Sequence, residues 1–123
     1  MSTKITEKEA FKLLSDDLKV ARIKGIMTKV TYEKSNSYSR EGRYDASSLE
    51  AALEIAKNYV IRKNHEGTSA RVLVSIYERE PEGWLCRRTI DMQSPFAGER
   101  NHLGYALPDP NRLDEVDYTD WGF

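Results

Sequence analysis

Cysteine is almost absent: Cys86 is the single one in 123 residues. No intramolecular disulfide is open to the chain, and the expected compartment is the cytoplasm. No apolar run approaches the ~20 residues of a membrane-spanning helix, and the opening residues are basic and polar where a secretory signal is hydrophobic. The two histidines, His65 and His102, have no second His, Cys or paired carboxylate at ligand spacing, so neither a metal nor a cofactor is expected. Residues 109–114 (DPNRLD) superficially match a calcium loop. Leu113 stands at a ligand position there, and no glycine follows where the turn needs one. There is no glycine-rich phosphate loop, no G-x-S-x-G and no dinucleotide fingerprint. Catalysis therefore has no residue pattern behind it, and the chain is expected not to be an enzyme. The contrary reading needs Cys86, Asp91 and His102 to meet in one cleft.

What is present suits one folded unit. Apolar residues make up 39% and charged residues 32%, which excludes general disorder. Residues 45–64 (DASSLEAALEIAKNYVIRKN) carry the clearest helix. Ser47 and Glu50 have the spacing of a capping box, and Leu49, Ala52, Leu53, Ala56, Tyr59 and Val60 fall on one face. Asn64 to Gly67 supplies the stop. Thr6 and Glu9 repeat the box before a second helix reaching about Lys19, whose stripe of Phe11, Leu14 and Leu18 is expected in the core.

Strands are expected at residues 26–33, 43–45, 70–79 and 84–92, from apolar and polar alternation. A polar hairpin tip fills residues 34–42, and Glu80-Pro81-Glu82-Gly83 makes a tight turn, with Gly83 free to take a positive φ. The order is α-β-β-α-β-β. It implies an α+β two-layer sandwich: a four-stranded, mainly antiparallel sheet with two helices on one face. Residues 1–92 form that domain. Residues 93–123 are expected to be an irregular C-terminal tail that packs on the domain or on a partner. This stretch holds Pro95, Pro108 and Pro110 and is rich in aromatics.

Charge is unevenly placed. The net charge is −1, yet residues from 109 onward carry five acids against Arg112 alone. An acidic, aromatic tail on a basic body suggests work by binding. The expected function is a small protein-binding regulator, adaptor or inhibitor, of the kind phages carry against host defence. Asp114, Asp117, Tyr118, Trp121 and Phe123 are its candidate contacts. The alternative is a nucleotide or another anionic small molecule held by Arg71, Tyr77, Arg87 and Arg88 on sheet faces. Weak nucleic-acid binding, with Arg40, Arg43, Tyr38 and Tyr44 adding to the face, ranks below that. By strict alternation Arg88 shares a face with Cys86 and Trp84, and Cys86 is expected as a small core residue. Unpaired sheet edges make a homodimer a reasonable expectation.

Overall fold

The computed structural model describes residues 3–36, 38–93 and 104–107. Its elements are β1 (Thr3–Ile5), α1 (Glu7–Ile23), β2 (Thr28–Asn36), β3 (Arg40–Ala46), α2 (Leu49–His65), β4 (Ala70–Glu80), β5 (Gly83–Gln93) and β6 (Gly104–Leu107). The α-β-β-α-β-β order and the four antiparallel strands β2 to β5 are as the periodicities predict. Two short strands widen the sheet to six, in the order β1-β6-β5-β4-β2-β3. Within the stretch expected to be irregular, residues 104–107 thus form a strand, paired to β5 on one side and β1 on the other. Strands of three and four residues are too short to show a period. Only their partners reveal them.

Local chemistry sets the helix ends. Thr6 caps α1: its Oγ1 accepts from the Glu9 amide at 3.0 Å while Glu9 Oε1 accepts from the Thr6 amide at 3.0 Å, completing the box. In α2 the cap is one residue later than expected. Ser48 Oγ accepts from the Ala51 amide at 3.0 Å, so Ser48 rather than Ser47 starts the helix. Residues 45 and 46 belong instead to β3, where they pair with Thr31 and Val30. Both helices end alike. The amides of Ile26 and Thr68 donate back to Ala21 and Lys63 carbonyls, across Gly25 (φ 73°) and Gly67 (φ 77°). That geometry needs a left-handed residue, and glycine takes it without steric cost.

The hairpin tip is shorter than its polar composition suggests. Asn36 Oδ1 accepts from the amides of Tyr38 and Ser39, closing the turn so that β2 runs on to Asn36 and β3 begins at Arg40. Asn36 also donates to the Tyr59 hydroxyl at 3.0 Å, fixing the hairpin end to α2.

Both helices lie on one face of the sheet. Ala10 and Leu14 of α1, and Leu49, Ala52, Ala56, Tyr59 and Val60 of α2, pack on Val30, Val72, Val74, Ile76, Ile90 and Met92. Phe11, Leu18 and Leu53 flank this core half-buried, as the stripes predict. No helix among the described residues is long and apolar enough to cross a membrane.

A polar sheet face without helices

The opposite face of the sheet carries no helix among the described residues, and it holds the unusual chemistry. Alternation along β2, β3 and β4 sends Lys29, Thr31 and Glu33, then Arg43 and Asp45, then Arg71, Leu73, Ser75 and Tyr77 to this side. On β5 alternation alone would fail. A bulge sets Ile76 opposite Arg88 but Tyr77 opposite Cys86, leaving Arg87 as the extra residue. Thr89 and Asp91 before the bulge, and Cys86 and Trp84 beyond it, therefore all face the helix-free side.

This corrects the strict-alternation reading. Cys86 and Trp84 join Tyr77, whereas Arg88 turns to the helix side. There its guanidinium donates from Nε to Asp17 Oδ2, and from Nη2 to Asp17 Oδ1 at 3.4 Å, tying β5 to α1. Arg87 pairs with Glu78 at 3.8 Å. Of Arg71, Tyr77, Arg87 and Arg88, only Arg71 and Tyr77 share the face, so the four do not converge. Asp114, Asp117, Tyr118, Trp121 and Phe123 lie outside the described residues.

The face is polar and yet buried. Thr31 and Ser75 are fully buried, Asp91 is 1% exposed, and Leu73 and Tyr77 are 6% and 3% exposed. Ser75 and Thr89 share a hydrogen bond of 2.8 Å between their hydroxyls, and Cys86 Sγ lies 3.4 Å from Thr89 Oγ1. Arg71 donates through Nε to Asp91 Oδ2 at 2.9 Å, and its Nη2 stands 2.9 Å from the same oxygen. The other oxygen of Asp91 and the Thr31 hydroxyl make no hydrogen bond among the described residues. Polar atoms so buried carry a desolvation cost until they find a partner.

Cations ring the buried polar centre. Arg40 stands 3.7 Å from the buried Glu33, and Lys29 stands 3.9 Å from Asp45. Lys29 Nζ also lies 4.7 Å from the centre of a Trp84 ring, with Arg79 at 5.6 Å from it. Burial lowers the Arg43 pKa, opposed by Tyr77, Glu33 and Asp45. Burial also raises the Cys86 thiol and the Asp91 carboxyl above their ordinary values, against hydrogen bonds from Thr89 and Arg71 respectively. A thiol held protonated is a poor nucleophile. His65, the one described histidine, ends α2 in the opposite layer.

Sequence reasoning picked out Arg71 and Tyr77 here but missed Thr31, Glu33, Ser75 and Thr89. Alternating polar residues read as a solvated face, and nothing in the string marks them as buried. Asp91 was singled out only as one of three residues, with Cys86 and His102, that a catalytic cleft would have to bring together. Comparison with protein-family models, curated proteins and solved structures gives no match.

Proposed function

We propose that this chain is a small non-enzymatic binding protein, a regulator, adaptor or inhibitor, that holds an acidic segment of another protein against the helix-free face of its sheet. One observation carries the reading: on the face that carries no helix among the described residues, Lys29, Arg43 and Arg79 stand by Tyr77 and Trp84, and Arg40 and Arg71 lie farther along the same strands. Arginine and aromatic side chains on one surface are the usual anchors of a protein interface.

The layout favours a polypeptide over a compact anion. The cations are spread from β3 to β4 and along the strands, with neighbouring strands ~4.8 Å apart, and Arg71 is already tied to Asp91. Glu33, Asp45 and Asp91 stand among them, which opposes a continuous phosphate backbone but suits acids spaced along a peptide. The guanidiniums of Arg40 and Arg79 at the rim would steer and fork onto such carboxylates.

The test compares the native chain with a chain carrying R40E and R79E, both at exposed positions, each purified from its own host. Native mass spectrometry of the wild-type chain should show a co-purifying protein at fixed stoichiometry. The double variant should lose it while melting at the same temperature. Retention of the partner by the variant, or a nucleotide-sized mass in place of a protein, would overturn the proposal.

A further inference from the structure

We infer that two copies of this chain pair edge to edge through β3, antiparallel and in a single register, with Tyr44 at the twofold axis. One sheet then runs from the first copy into the second. The pairing does not depend on what the helix-free face binds, so its test stands apart from the one above.

The edge leads to it first. β3 is the outermost strand, paired to β2 on one side and to no strand on the other among the described residues. β1, at the opposite edge, has only three residues. The side chains along β3 reach water: Tyr44 is 46% exposed, and the side chain of Asp45 is 70% exposed. Backbone N–H and C=O groups along such an edge are a template for a further strand.

The order of charges then selects the occupant. Antiparallel pairing about a twofold axis sets a strand against its own reverse. Centred on Tyr44, it places Arg43 of each copy opposite Asp45 of the other, and Gly42 opposite Ala46. The charge pair therefore forms twice. Asp45 stands 3.9 Å from Lys29 of its own chain, a loose contact that leaves the carboxylate able to turn across the junction. Arg43 keeps its setting beside Tyr77, Glu33 and Asp45 and gains a further carboxylate.

Neighbouring registers that keep both helix layers on one side are worse. Centring on Arg43 sets that arginine against itself and Glu41 against Asp45. Centring on Asp45 sets two carboxylates together. Centring on Gly42 brings Glu41 to Arg43 but puts a bulge at the axis. There Lys34 pairs with Gly42 and Ser35 with Arg40, leaving Glu41 as the extra residue, and Gly42 has a φ of 104°.

The aromatic row is the third observation. On the helix side of the sheet the Tyr32 and Tyr44 rings lie 5.5 Å apart, with Lys34 Nζ 5.3 Å from the Tyr44 ring. With Tyr44 opposite Tyr44, at ~5 Å between Cβ atoms, the row continues through both copies and covers the exposed ring.

The test weighs the full chain by light scattering across a dilution series. Wild type should show twice the chain mass, falling to a monomer only on dilution. D45R, at an exposed position, sets arginine against arginine at both contacts. It should raise the dissociation constant by roughly tenfold or more while keeping the circular-dichroism spectrum of the wild type. E82K, exposed between β4 and β5, should leave the constant unchanged. The register is read separately, in a C86S background. A short bismaleimide cross-linker should join Y44C chains into a covalent dimer and leave E82C chains single.

A monomer at every concentration, or a D45R dimer as tight as the wild type, would overturn the inference. So would cross-linking no faster at position 44 than at position 82. If D45R does not fold, the Y44C and E82C comparison decides alone.

Discussion

Asp91 concentrates the residue-scale physics. It is buried at the centre of the sheet, with Arg71 on one oxygen and no hydrogen bond to the other among the described residues. Desolvation outweighs the arginine and raises the carboxyl above its ordinary 3.8. The folded chain therefore holds this proton at higher pH than the unfolded chain does. The resulting stabilisation is full below 3.8 and is lost as pH rises through the raised folded value. D91N removes the titration. Its stability relative to wild type should rise across that window, seen as a wild-type-minus-variant difference that declines in urea melts from about pH 3 to 7. A flat difference would mean that Arg71 compensates the burial fully. Cys86 shows the same balance with a different outcome: burial keeps its thiol protonated, consistent with packing beside Tyr77 rather than attack on a substrate.

At the scale of elements, the β5 bulge decides which side chains meet. With Arg87 inserted, Trp84, Cys86, Thr89 and Asp91 share one side of a strand whose strict alternation would separate the first two from the last two. Deleting Arg87 should turn Trp84 and Cys86 toward the helix layer and remove the contacts of Lys29 and Arg79 with the indole. The expected readout is a shift in Trp84 fluorescence in a W121F background, with a stability loss of about 1–3 kcal/mol from the broken packing. Unchanged fluorescence would show that the strand re-forms its bulge elsewhere. The helix ends were largely legible from their residues, because a cap is a contact between near neighbours. Thr6 and Glu9 formed the expected box, and the glycines after each helix took the left-handed turn. Ser47 and Ser48 are both able to cap α2. The pairing of Ala46 with Val30 holds residue 46 in β3 and leaves Ser48 to start the helix.

The whole molecule is a sheet with an apolar side under two helices and a polar side ringed by cations. If residues 93–123 pack on the domain, removing residues 113–123 should lower the melting temperature. A loss of ~1–2 kcal/mol corresponds to roughly 4–8 °C in a chain of this size. An unchanged melt together with loss of the co-purifying protein would instead assign those residues to the partner alone. The sheet's outer strands are β1 and β3, and charged Arg40, Glu41, Arg43 and Asp45 on β3 discourage indiscriminate edge pairing.

The sequence by itself determined two helices and four antiparallel strands, their succession along the chain, and the apolar side of the helices and of β2 and β4. Periods of 3.6 and 2 are properties of neighbouring residues and need no knowledge of what lies opposite. Tertiary structure alone decided three things: the β1 and β6 additions, the bulge that gathers Trp84 with Asp91, and the burial of Thr31, Glu33, Ser75 and Asp91. Each depends on a partner distant in the chain. Alternating polar residues look the same in the string whether water covers them or protein does.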